Sequence, residues 1–254
     1  MTPVLEAQGL AKAFGGVRAV DGVGFAVAEG EVVALIGPNG AGKSTCFNML
    51  NGQLRPDTGR ILLNGRDVTG LPPRKVWRMG VGRTFQVTAT FASMTVRENV
   101  QMALLSHRRR LWSPWVPARE LYVDEADALL AQVDMVAQAD RPCGVLAYGD
   151  LKRLELAVAV AHRPRLLLMD EPTAGMAPQE RASLMRLVAG FAERDRVAVL
   201  FTEHDMDVVF THARRVLVLD RGRLVAEGPP EAVRANPMVQ AVYLGAGGLD
   251  GEAA

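Results

Sequence analysis

The run Gly37-Pro38-Asn39-Gly40-Ala41-Gly42-Lys43-Ser44-Thr45 constrains this chain more than any other stretch. It is a full match to G-x-x-x-x-G-K-[ST], preceded by the apolar run Glu31 to Ile36 and followed by an amphipathic stretch. That order predicts a buried strand, a tight loop and a helix over Lys43 to Asn51, stopped at Gly52. Glycines let the loop backbone curl so that its N–H groups point inward at an anion. The helix adds its positive end to the same spot. In this geometry Lys43 reaches the β- and γ-phosphates of a nucleoside triphosphate, and the Ser44 hydroxyl reaches Mg²⁺. Thr45, one position on, reaches the α-phosphate. A glycine turn that merely joined strand to helix would not need Lys and Ser directly after its last glycine.

Three further apolar runs read as buried strands: Arg165 to Met169, Val197 to Phe201 and Val216 to Leu219. Two of them, like the strand before the loop, lead straight into polar groups: Asp170-Glu171, and Thr202-Glu203-His204. Ligands of open α/β sheets bind beyond the carboxyl ends of the strands, so these residues are expected at one edge. Asp170 is placed to hold Mg²⁺ through water, and Glu171 to act as the base that activates the attacking water. Alone, an Asp-Glu pair before Pro172 could equally cap a turn; beside a phosphate-binding loop the catalytic reading prevails.

Elsewhere the pattern is antiparallel or helical. Val4 to Asp21 with Gly24 to Ala28 reads as strands broken at Gly15-Gly16 and Glu29-Gly30, and Val216 to Glu227 as a hairpin turning at Asp220-Arg221-Gly222. A helical section runs from about Val96 to Gln138, interrupted by Trp112-Ser113-Pro114-Trp115-Val116-Pro117. The adjoining Arg108-Arg109-Arg110 reads as a solvated loop beside two packed indoles. The glycine-rich tail from Gly245 is expected to be mobile.

At 254 residues the chain can bury roughly 70–75% of its unfolded surface without disulfides. Its two cysteines form no metal cage or disulfide framework, and Cys46 is expected to pack as a small apolar residue. A net charge of +1 gives no general pull toward nucleic acid. No apolar run approaches the ~18 residues of a spanning helix, and the N-terminus does not read as a signal peptide. Any membrane contact is therefore expected through a partner.

Four more segments resemble the ABC ATPase family, with order and spacing matching over essentially the whole chain. Leu146-Ala147-Tyr148-Gly149-Asp150 is similar to the LSGGQ signature, Gln86 to the Q-loop, His204 to the switch histidine, and Phe14 to the aromatic residue set against adenine. No guanine-reading Asn-Lys-x-Asp motif is present. The resemblance implies an α/β fold: a P-loop NTPase, RecA-like core with an antiparallel N-terminal β subdomain and an α-helical subdomain. It would be one domain over 1–245, with core 1–86 and 164–245, helical part about 87–163, and tail 246–254.

Roles transfer by the same resemblance. Phe14 would stack on the base, and Gln86 would join Ser44 and Asp170 around Mg²⁺ and sense the permease. His204 would contact the γ-phosphate, alongside Lys43 and Glu171 in catalysis. Ala147, Tyr148 and Gly149 would meet ATP held by an opposing subunit. The cofactors implied are ATP and Mg²⁺. The partners implied are two transmembrane permease subunits, a second ABC ATPase subunit and an extracytoplasmic solute-binding protein, with no nucleic acid. The location implied is the cytoplasmic face of the inner membrane.

Gly82-Arg83-Thr84-Phe85-Gln86, Met94 to Asn99, Glu203-His204-Asp205-Met206 and Val242-Tyr243-Leu244-Gly245 look like the branched-chain amino acid uptake branch. Related cassettes for amides or urea, or a non-transport ABC ATPase, are the alternatives. Where the signature usually has Ser and Gln this chain has Ala147 and Asp150, the latter expected as N-cap of a helix beginning near Leu151. Ala177 stands where an aspartate normally crosses to the partner, and Val158 replaces a frequent arginine. These changes fall on surfaces serving the other subunit's ATP, which predicts a heterodimer with unequal sites.

Overall fold

The computed structural model describes residues 3–84, 90–108 and 117–244. Gln86, residues 109–116 of the Arg/Trp/Pro segment, and the tail from Gly245, all singled out above, lie outside the described residues. In chain order the elements are β1 (Pro3–Phe14), β2 (Val17–Ala28), β3 (Val32–Ile36), α1 (Lys43–Leu50), β4 (Thr58–Leu63), β5 (Arg66–Asp67), α2 (Pro73–Arg78), β6 (Val81–Thr84) and α3 (Val96–His107). There follow α4 (Val123–Gln132), α5 (Tyr148–Val160), β7 (Leu166–Asp170), α6 (Pro178–Arg194), β8 (Ala198–Thr202), α7 (Met206–His212), β9 (Arg215–Asp220), β10 (Arg223–Gly228), α8 (Pro230–Arg234) and α9 (Pro237–Leu244).

Two sheets organise these elements. The first is antiparallel, in the order β2-β1-β4-β5; the second runs β10-β9-β3-β8-β7-β6. In the second, β9, β3, β8, β7 and β6 are parallel neighbours and β10 closes one edge by an antiparallel hairpin. All five residues of β3 are buried, and they alternate: Val32, Ala34 and Ile36 join one apolar cluster, Val33 and Leu35 the other. A strand covered on both faces needs apolar side chains at every position, which is why its sequence reads as a continuous run. One face packs against α1 and the antiparallel sheet through Cys46, Phe47, Met49, Leu10 and Val20. The other carries Val100, Leu104, Leu130, Leu154, Leu184 and Val188 of α3 to α6.

Local rules explain the helix starts. Thr95 accepts the Glu98 amide at 3.2 Å while Glu98 accepts the Thr95 amide at 2.8 Å, closing a capping box on α3. Asp205 takes the Asp207 and Val208 amides at the head of α7. The start of α5 differs from the sequence expectation. Ala147 occupies the cap position in extended conformation, and the Leu151 amide closes the first turn onto the Ala147 carbonyl at 3.0 Å. Asp150 therefore lies inside the first turn and does not cap it. The Tyr148, Gly149 and Asp150 amides stand in that opening turn, where a helix has no carbonyl to offer them.

A candidate nucleotide site at the strand tips

The phosphate-binding loop lies between β3 and α1. A Cβ on Gly37 (φ 153°) would collide with the Leu219 carbonyl, and one on Gly42 (φ 105°) with the Ala19 carbonyl. The loop can thus lie this close to β9 and β2 because those positions are glycine. Gly40 and Gly42 have positive φ, and the helix begins at Lys43 with Ser44 and Thr45 in its first turn. Lys43 is buried, and its ammonium donates to the Gly37 carbonyl at 2.6 Å and the Pro38 carbonyl at 3.2 Å. Burial holds the Lys43 pKa below its ordinary value, against the attraction of Glu171 and Asp170. Pro38, Asn39, Gly40 and Ala41 form the crest of the loop, tied down by the Gly222 amide on the Ala41 carbonyl.

Strands β3, β8 and β7 are adjacent, so their carboxyl ends deliver Lys43, His204 and the Asp170-Glu171 pair to one place. Asp170 accepts the Thr202 hydroxyl at 2.7 Å, and the Arg83 guanidinium stands 3.8 Å away. The Glu171 amide donates to both the carbonyl and the hydroxyl of Thr202, each at 3.1 Å. Glu171 holds a left-handed backbone (φ 48°), a conformation costly for a residue with a Cβ and here enforced by those two bonds. Its carboxylate lies 3.0 Å from His204 Nε2. The structure therefore brings Lys43, Asp170, Glu171 and His204 together as the sequence predicts.

Two side chains without an assigned role prove to hold this edge together. Thr202 positions both members of the carboxylate pair. Glu203, 3% exposed, accepts the Thr173 amide at 2.8 Å, the Thr173 hydroxyl at 2.6 Å and the His204 amide at 3.2 Å, bracing the loop after β7 to the loop after β8. A polar triplet after an apolar run is the only sequence signal for either. Arg181 of α6 extends the brace by pairing with Asp205 and donating to the Met176 carbonyl at 2.7 Å.

The remaining predicted residues are distributed around this centre. Phe14 ends β1 with 51% of its surface exposed, and the Lys12 ammonium lies over its ring, 5.8 Å from the centroid. Ala147, Tyr148 and Gly149 form the start of α5. The Tyr148 ring is 44% exposed and lies beside Gly175 and the Lys152 ammonium, and Gly149 abuts the Glu180 carboxylate, which also accepts the Ala177 amide at 3.2 Å. Cys46 is wholly buried and its pKa is pushed up to about 12 by burial, as an inert apolar filler should be. Among the described residues no cluster of three or more His, Cys, Asp or Glu could hold a metal, and no helix is long and apolar enough to cross a membrane.

Comparison with known proteins agrees with this geometry. Residues 20–174 match the family described as ABC transporter, and residues 223–248 match the segment described as branched-chain amino acid ATP-binding cassette transporter. The chain is 42% identical to the high-affinity branched-chain amino acid transport ATP-binding protein BraF of Pseudomonas aeruginosa, over 96% of this chain and 98% of that one. It is 39% identical to LivG of Escherichia coli K12, described in the same words, with the same coverage. Among solved structures, the ADP conformation of an ATP-binding cassette of an ABC transporter superposes with a TM-score of 0.87 at 31% identity, covering 96% of this chain and all of that one. A fold built around a phosphate loop at three strand tips, matched along nearly its whole length, places the chain in the ABC transporter family, among its ATP-binding cassettes.

Proposed function

We propose that this cassette is the ATP-hydrolysing subunit of an importer for branched-chain or other hydrophobic amino acids. The observation that carries the reading is the convergence of Lys43, Asp170, Glu171 and His204 at the tips of three neighbouring strands. In the reaction, Glu171 takes the proton of a water molecule as its oxygen attacks the γ-phosphorus. The bond to the β,γ-bridging oxygen breaks, and ADP and phosphate result. Lys43 leaves the Gly37 and Pro38 carbonyls to neutralise charge on the phosphates, and the loop amides with the head of α1 stabilise it further. His204 orients the water and the γ-phosphate, and Phe14 offers its exposed face to the base.

Mg²⁺ fits the residues present. It takes hard oxygen donors and commonly needs few from protein, the remainder coming from phosphates and water. Ser44 and Asp170 would hold it, with Gln86 as a further donor; Asp170 is already oriented by Thr202. When bound, the ion neutralises charge on the β- and γ-oxygens.

The opening turn of α5, with Ala147, Tyr148 and Gly149, serves ATP held by a second ABC ATPase subunit. Because Ala147 and Ala177 remove side chains from that surface while the cis residues are complete, the companion is a different cassette and the two sites turn over unequally. The helical part spans about 87–163, between core segments 1–86 and 164–245. Two membrane-spanning permease subunits and an extracytoplasmic solute-binding protein complete the assembly, and the cassette rides on the cytoplasmic face of the inner membrane. The names of its relatives support the amino-acid assignment.

The test is nucleotide uptake. The purified chain should bind magnesium-nucleotide at millimolar concentration or below, and Lys43→Ala should bind it far more weakly; equal binding by both would overturn the reading. Co-purification with permease subunits supports transport, whereas co-purification with nucleic acid would point to a non-transport ATPase.

A further inference from the structure

Arg83 stands beside a residue that holds magnesium in the reading above, yet that reading gives it nothing to do. It lies on β6, where the parallel register sets it opposite Leu168, two positions before Asp170 on the same face of the sheet. Its side chain crosses to α1 and is anchored there. Nη1 donates to the side-chain carbonyl of Gln53 at 2.8 Å, and Nη2 to that of Asn48 at 3.3 Å. Nη2 also faces Oδ2 of Asp170 at 3.8 Å, while the other carboxylate oxygen, Oδ1, accepts the Thr202 hydroxyl. Asn48 follows Ser44 by four residues on α1, so the two share one face of that helix. The guanidinium is thus set between the two elements that carry Ser44 and Asp170, the described residues assigned to the metal.

The two acceptors that anchor the guanidinium are neutral amides, so they fix its place without cancelling its charge. At 3.8 Å it is beyond hydrogen-bonding distance of Asp170 and acts on the carboxylate through that charge. Each side chain of the pair is only 14% exposed, so water screens the attraction weakly. A carboxylate that already answers one cation holds a second less tightly, because the two cations repel one another. We propose that Arg83 is a positioning residue that tunes the metal site. Its fixed charge steadies Asp170 while no nucleotide is bound, and loosens the grip on magnesium once it is, so that the ion can depart with ADP. The inference rests on the nucleotide and magnesium reading given above and adds to it a residue that opposes the metal.

The test measures ADP affinity by titration calorimetry, once with excess magnesium and once in EDTA, and takes the ratio of the two Kd values. Arg83→Met and Arg83→Gln remove the charge, and Arg83→Lys keeps it. Nucleotide-free melting reports the fold, and no readout depends on turnover. Both neutral variants should strengthen the magnesium dependence, raising the ratio of Kd without metal to Kd with metal. The expected rise is roughly threefold to tenfold, the scale of a partly screened charge pair. Arg83→Lys should stay closer to wild type than to either neutral variant. A residue that merely braced the fold would weaken binding in both media alike and leave the ratio where it was. A ratio in the neutral variants that falls, or that stays within about twofold of wild type, would overturn the proposal. So would Arg83→Lys matching Arg83→Met, or loss of folding in both neutral variants, which would make Arg83 a structural residue. Wild type that bound ADP equally in magnesium and EDTA would instead remove the magnesium assignment beneath the proposal. Wild type that bound no ADP would remove the nucleotide-site reading itself.

Discussion

The strand-tip residues and the opening turn of α5 both face anions in the proposed mechanism, yet they are held in different ways. At the strand tips every reacting side chain has an internal tether: Lys43 on two loop carbonyls, Asp170 on Thr202, and Glu171 by its amide on Thr202 and by its carboxylate on His204. At the head of α5 the cap position is an alanine with no side-chain bond, and the largest side chain, Tyr148, is half open to solvent. The first region is finished within one chain. The second presents backbone amides and a half-exposed ring, which the proposal assigns to another molecule. On the proposed mechanism, the difference is between a site preorganised for this chain's own nucleotide and a surface left to be completed against a partner's.

The sharpest way to break that contrast is Glu171→Gln. If the strand-tip site does the chemistry, kcat should fall by roughly 10²–10⁴ while nucleotide binding persists. Made in this subunit alone within the assembled transporter, the change should remove most turnover; retention of most activity would mean the sites are not unequal in the direction proposed.

A second measurement separates loss of the site from loss of the fold. His162 sits in a ring cluster with Trp77 at 4.8 Å and His107 at 5.8 Å, away from the tethered residues. Burial, with a smaller contribution from His107, lowers its pKa from 6.5 to about 4. A histidine whose folded pKa is depressed prefers to stay neutral, so the unfolded chain binds the extra proton first. The contribution of this residue should be flat above pH 6.5 and fall as pH drops from 6.5 toward 4, by up to about 3 kcal/mol. Urea midpoints across that window should decline less in His162→Gln than in wild type; parallel declines would remove His162 from the account.

Thr202→Val probes the tether itself. It keeps shape but removes the hydroxyl shared by Asp170 and Glu171, and should lower kcat about tenfold, with Thr202→Ser restoring most of it. The smallest effect is expected on the other side of the comparison. Ala147→Ser restores a donor on the signature turn, and should change turnover of the assembled complex by about threefold or less while leaving ATP binding by the isolated chain unaltered. An equal effect on the isolated chain would mean that α5 serves this chain's own nucleotide.

The parts of the fold that could be read in advance were those in which one residue pattern has one physical solution. The strands β3, β7 and β8 are apolar at successive positions because both faces of the sheet are covered, and glycines with lysine leave few alternatives for the loop. By contrast, β6 contains Gly82 and Arg83 and carries no apolar run, and β4 opens with Thr58-Gly59-Arg60 before its three apolar residues, so long-range pairing supplies what local propensity lacks in β6 and in the first half of β4. The start of α5 was misjudged because aspartate favours a cap wherever the backbone allows it, and here the extended Ala147 places the turn earlier. Thr202 and Glu203 were visible as letters but not as tethers, since their partners lie some thirty residues upstream and meet them only across the sheet.

The buried Glu203 brace carries one further implication. With the segments after β7 and β8 tied to a single carboxylate, Glu171 and His204 are coupled to one another through bonds that this chain makes within itself. A companion subunit could therefore gate the reaction by what it adds to the open side of the nucleotide, and hardly by reshaping the acid–histidine pair. Regulation by arrival rather than by deformation is what such a cross-tied edge permits.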